Sequence, residues 1–113
     1  MRKLNLKNYT VKVKAPDQMN PGQVIEGEWP YHFKDSVLNL LFNPDLQLNG
    51  AKLVKQNVLA IKLETCKEDE ILLEDEEYQR IQEAVVTFKG FGRNDVELVT
   101  RINNAEVVEV EEL

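Results

Sequence analysis

His32, the only histidine, sits close in sequence to Asp35 and Ser36, so a base, an acid and a hydroxyl share one short stretch. A nucleophile and its base must touch in three dimensions, with a third group orienting the base and donors waiting for an oxyanion. No strained nucleophile turn accompanies Ser36. Its type and place are better explained as a helix cap, and His32 as a solvent-facing strand residue. The segment Glu68-Asp69-Glu70-Ile71-Leu72-Leu73-Glu74-Asp75-Glu76-Glu77 holds enough carboxylates to attract a hard cation. It lacks the alternating ligands, central glycine and closing glutamate of a calcium loop. Gly90-Phe91-Gly92-Arg93 offers free amides and a cation to an anion, yet it is shorter than a P-loop and Asp95 would repel a phosphate there. It reads as a helix-to-helix turn. Cys66 is the only cysteine, which excludes an intrachain disulfide, a multi-cysteine zinc site and a CxxC redox pair. These residues specify no catalytic, cofactor or metal site, and the expectation is a protein that is not an enzyme.

At 113 residues the chain fits one domain spanning positions 1–113. Hydrophobic residues at 42% and charged residues at 30% suit a folded protein rather than a disordered one. Its apolar runs are far shorter than the roughly 20 residues that cross a bilayer. The basic start carries no apolar leader, and the expected location is the cytoplasm. A net charge of -6 argues against direct nucleic-acid binding, which needs clustered bases. Charge is polarised along the chain: Arg2, Lys3, Lys7, Lys12 and Lys14 face no acid in the first 14 residues, whereas residues 64–77 and the tail with Glu106, Glu109, Glu111 and Glu112 are acidic. Such polarity can be satisfied within one fold or between copies.

Stepping along the elements, Leu4 and Leu6 share one phase and Tyr9, Val11 and Val13 the other, a strand pattern with a slip at Lys7-Asn8. The Pro- and Gly-rich stretch 15–22 forms a loop. Alternation then resumes through Ile25, Trp29, Tyr31 and Phe33, completing a hairpin whose second strand Pro30 confines to a sheet edge. Trp29, Tyr31 and Phe33 share a face, which predicts that they floor the helices; the rival role of these aromatics is an interface.

Asp35 or Ser36 caps a short helix over Val37–Phe42, and Asn43-Pro44 stops it. Asn49-Gly50 opens a second helix with Leu53, Val54, Val58 and Ile61 inward and Asn57 near the same face. A third, started by Glu74-Asp75-Glu76-Glu77, turns Tyr78, Ile81, Val85 and Phe88 inward and ends at Gly90. Asn94 or Asp95 caps a fourth, with Val96, Val99 and Ile102 inward. Val108 and Val110, alternating with Glu109 and Glu111, make a short strand. The expected fold is α+β: a small antiparallel sheet, built from the N-terminal hairpin plus the C-terminal strand, packed against three to four helices.

The lysine-rich first strand, Leu72-Leu73-Glu74-Asp75-Glu76-Glu77-Tyr78 and Arg93-Asn94-Asp95-Val96-Glu97-Leu98-Val99 with Arg101-Ile102 resemble small proteins encoded by tailed bacteriophages and prophages. That resemblance implies a protein that works by binding, in virion assembly or on a host factor, located in host cytoplasm or virion. The reading is therefore a protein-interaction or assembly module that self-associates, with no cofactor, no membrane and no direct nucleic-acid contact. The candidate contact residues are Lys12, Lys14, Trp29, Tyr31, Glu74, Glu76, Glu77, Glu109 and Glu111. The alternative is an acidic inhibitor of a host nucleic-acid-binding protein, acting through residues 64–77.

Overall fold

The computed structural model describes residues 1–109. Its strands are β1 (Arg2–Asn5), β2 (Tyr9–Pro16), β3 (Val24–Tyr31), β4 (Glu70–Leu73) and β5 (Glu106–Val107). Its helices are α1 (Phe33–Leu41), α2 (Gly50–Thr65), α3 (Asp75–Thr87) and α4 (Val96–Asn103), with 3-10 turns at Pro44–Leu46 and Arg93–Asp95. The fold is α+β, as expected, but its strands form two antiparallel sheets. One has the order β4-β1-β5, and the other is the β2-β3 hairpin alone.

The slip at Lys7-Asn8 is thus a break between sheets rather than a bulge within one. The Asn5 side-chain oxygen accepts from the Lys7 amide (2.9 Å), and the Asn8 oxygen accepts from the Phe33 amide (3.1 Å). Side-chain bonds of this kind draw the backbone out of a ladder. Before the break, β1 pairs with β4, with Leu4 opposite Ile71 and Arg2 opposite Leu73. The strand β4 was hidden in the sequence, because a four-residue apolar segment leading into an acidic run reads as the start of a helix.

The core lies between the three-stranded sheet and the four helices. Alternation turns Leu4 of β1, Leu6 just after it, and Ile71 and Leu73 of β4 into one core with Phe33, Val37 and Leu41 of α1. Tyr78, Ile81, Ala84 and Val85 of α3 close it, with Leu98 and Ile102 of α4. Tyr78 is buried on its ring, and its hydroxyl donates to the Ile102 carbonyl at the end of α4 (2.5 Å). In α4 the inward residues are therefore Leu98 and Ile102, while Val96 is exposed.

Two further expectations are corrected. Strand β3 ends at Tyr31, and α1 begins at Phe33, so Ser36 lies inside the helix and caps nothing. His32 stands at the position before that helix, exposed. In α2 the buried residues are Gln56, Leu59, Ala60 and Leu63, whereas Leu53, Val54, Val58, Ile61 and Asn57 face outward. The buried Gln56 explains the inversion. Its side-chain amide donates to the Leu41 carbonyl at the end of α1 (3.0 Å), which gives a polar residue a reason to sit in the core. The predicted start of α2 at Asn49-Gly50 holds, and the Asn49 oxygen caps it by accepting from the Lys52 amide at 2.9 Å. Of the expected C-terminal strand, β5 occupies Glu106–Val107, and Val110 and Glu111 lie outside the described residues.

Candidate functional site

Beyond the core stands the hairpin. The molecule measures 63 × 33 × 22 Å with a radius of gyration of 16.9 Å, against about 13 Å for a compact chain of this length. Its accessible surface is 8208 Å², while a compact monomer of this mass exposes about 6,400 Å². The elongation comes from an arm whose dense packing is between its own two strands.

Strand register divides the arm into two faces. On one lie the pairs Tyr9/Tyr31, Val11/Trp29, Val13/Gly27 and Ala15/Ile25; on the other lie Thr10/Pro30, Lys12/Glu28, Lys14/Glu26 and Pro16/Val24. The second face matches opposite charges across the strands. The first is almost wholly apolar, yet among the described residues no helix covers its outer half: Trp29 keeps 56% and Ile25 51% of their surface. The Trp29 indole leans over Gly27, where an added Cβ would meet its Nε1 at 3.4 Å.

The inner end is clamped. Tyr9 and Tyr31 stack with centroids 4.5 Å apart and planes inclined by 14°. The Tyr31 hydroxyl donates to Asp95 Oδ1 (2.5 Å) and the Tyr9 hydroxyl to the Asn94 carbonyl (2.8 Å), tying both strands to the turn that precedes α4. The Arg101 guanidinium lies 5.1 Å from the Tyr9 ring and 5.0 Å from the Phe33 ring. Between the arm and α4 opens a groove of about 940 Å³, bordered by Val11, Lys12, Lys14, Arg93, Val96 and Thr100.

Burial raises the Tyr31 phenol above the ordinary value of 10.0, and its bond to the Asp95 carboxylate adds to the rise. Tyr9 is raised in the same sense, first by burial. A folded-state phenol that holds its proton longer than the unfolded one makes stability fall as pH rises past about 10. Urea titrations at alkaline pH are expected to show this loss, and to show less of it in Tyr31→Phe, which removes one of the two phenols.

The other predicted contact residues are employed within the chain. Glu76 pairs with Lys55 (3.7 Å) and with Arg80, and Glu77 pairs with Lys62 (2.7 Å) while accepting from the Glu74 amide (2.9 Å). Glu74 precedes α3 and is exposed. The basic first strand and the acidic segments meet inside one molecule: Lys3 lies 3.6 Å from both Glu70 and Glu106. Glu109 is exposed, and Glu111 falls outside the described residues.

The residues considered for chemistry are dispersed or occupied. His32 borders an open depression with Lys7, Asn8, Lys34, Asp35 and Asp69, while Ser36 turns toward Tyr31 and Asn39 along a different groove. The Gly92 amide is taken by Asp95 Oδ2 (2.8 Å), and Phe91 packs edge-on against Phe88 at 4.7 Å, so the glycine loop is a filled turn. Cys66 is half-buried after α2. Among the described residues no three His, Cys, Asp or Glu side chains gather as a metal site, and no helix is long and apolar enough to cross a membrane.

Trp29 and Tyr31 were legible as candidates; Ile25, Val11 and the outer residues of α2 were not singled out. No local signal marked them: β1, β4 and the helices fill the core, and only Tyr9 and Tyr31 of the hairpin's apolar phase pack against it, which the fold alone shows. No family model matches the chain, and no curated protein or solved structure is detectably similar to it.

Proposed function

We propose that this protein is a non-catalytic interaction module that self-associates through its hairpin arm. One observation carries the reading: an arm clamped at its root holds Val11, Ile25 and Trp29 on one apolar face, with Val11 half-buried and Ile25 and Trp29 left exposed among the described residues. Covering such a face is worth far more than matching surface charge. Fully burying an aliphatic or aromatic side chain yields about 1.5–3 kcal/mol, against about 0.2–1 kcal/mol for an exposed ion pair. The clamp at Tyr9 and Tyr31 supports the same reading, because an arm held in one orientation loses little freedom when it docks. In a phage setting such an arm would join neighbouring subunits of an assembly.

Part of the charge polarity is satisfied within one chain, where Lys3 meets Glu70 and Glu106, which favours the apolar arm over charge as the contact between copies. Sedimentation equilibrium at about 20 mM and about 500 mM salt should show concentration-dependent masses above 13.1 kDa at both, undiminished at the higher. Dissociation on adding salt would contradict the apolar arm as the contact.

A further inference from the structure

Each strand of the arm is paired on one side only. The hairpin is a two-stranded sheet, and among the described residues no third strand bonds to either of its edges. Along an open edge every second residue turns its amide and carbonyl outward, which makes a template for one more strand. The two edges differ in chemistry. The β3 edge carries Glu26 and Glu28 and is interrupted by Pro30, which has no amide to donate. The β2 edge runs Val11-Lys12-Val13-Lys14, with the valines on the apolar face and the lysines on the other. It also borders the groove of about 940 Å³, whose opposite wall supplies Arg93. Lys12 and Lys14 stand opposite Glu28 and Glu26 across the hairpin, yet among the described residues neither they nor Arg93 close an ion pair. Lysines along such an edge repel a second β2 and admit a strand that alternates apolar with acidic residues.

The chain itself contains that alternation. Val108-Glu109-Val110-Glu111 follows β5, its last two residues lying beyond the described ones. We infer that this segment of one copy adds as a third strand to the β2 edge of a second copy. The inference rests on self-association through the arm, and it names the edge and the segment that meet. Residues directly opposite one another on neighbouring strands share a face of the sheet. Set antiparallel, Glu109 stands beside Lys14, Val110 beside Val13 and Glu111 beside Lys12, so both acids meet a lysine and the apolar face widens by a valine. A slip of one residue would set valine against lysine throughout, which specifies the register.

Chain direction explains why two copies are needed. Val107 lies opposite Arg2, and the Val108 amide donates to the Met1 carbonyl (2.9 Å), so the chain leaves β5 past the amino-terminal end of β1. The arm departs from the other end of β1, beyond Asn5. The acidic segment thus heads away from the arm of its own chain.

The test is a pair of charge reversals in the full-length chain. Glu109→Lys with Glu111→Lys, and separately Lys12→Glu with Lys14→Glu, should each weaken self-association about tenfold in sedimentation equilibrium, with an unchanged far-ultraviolet circular dichroism spectrum. The first pair leaves the arm's own residues untouched. Mixed together, the two variants should associate as tightly as the intact chain, because each offers the edge that the other's segment matches. A chain carrying Cys66→Ser, Val13→Cys and Val110→Cys should on oxidation give disulfides that join different chains. Reversals without effect on the mass, or a mixture no tighter than its components, would overturn the strand addition and leave association through the apolar face standing. Disulfides confined to single chains would overturn the exchange between copies. Monomer mass of the intact chain at every concentration would overturn both this inference and self-association through the arm.

Discussion

Replacing Phe33 by alanine is expected to destabilise the protein by about 3–5 kcal/mol. Phe33 has no exposed surface and begins α1 immediately after the arm. Its ring packs in the core with Arg101 beside it, and its amide is held by Asn8, the residue at the break between the two sheets. Truncation therefore opens a cavity where arm, helix and sheet converge. A domain of this size is stable by about 5–15 kcal/mol in total, so the variant should be near the edge of folding at room temperature. Urea unfolding monitored by circular dichroism measures it, with Phe33→Leu, which retains most of the volume, expected to lose far less. A loss below about 1 kcal/mol in Phe33→Ala would mean that the junction is not packed as described.

Excising the arm should do the reverse, leaving stability nearly intact and removing association. Tyr9 and Tyr31 face each other in register, so an Asn-Gly turn can join them in place of Thr10–Pro30. The stacked tyrosines and their bonds to Asn94 and Asp95 remain. Because the excised strands pack mainly on one another, the thermal midpoint should move by no more than about 5 °C. Sedimentation velocity should find a single species of monomer mass at concentrations where the intact chain assembles. An excised chain that still assembles would place the contact elsewhere.

How much of this was legible from residue order depends on the range of the interactions. Local signals served well. The Pro- and Gly-rich loop announced the hairpin, Asn49 announced the start of α2, and the spacing of Tyr78, Ile81 and Val85 identified the inner face of α3. What failed depended on partners distant in the chain. Strand β4 is defined by pairing with β1, whose Leu4 lies 67 positions before its partner Ile71. Helix α2 offered two apolar stripes, and the β-branched one looked more like core than a face containing Gln56. Only the Leu41 carbonyl waiting beside it shows why the glutamine belongs inside. The hairpin was recognised, but nothing in its own residues told whether its apolar phase lay on the helices or projected from them.

Part of the charge pattern was hard to read for a related reason. Bases at one end of the chain and acids farther along suggested contacts between copies. In the fold those segments lie side by side, Lys3 with Glu70 and Glu106 and the amino terminus with Asp75 at 3.4 Å. The residues that distinguish the surface are apolar, and they attract attention only once the core has been filled without them.

Trp29 is the only tryptophan in the chain and lies on the arm's apolar face, so its fluorescence reports directly whether that face becomes covered. As concentration rises through the association range, emission should shift to shorter wavelength and quenching by acrylamide should weaken, in step with the rise in sedimenting mass. Emission that stays at the wavelength of a water-exposed indole, equally quenched while the mass increases, would show that assembly proceeds without the arm and would contradict the account.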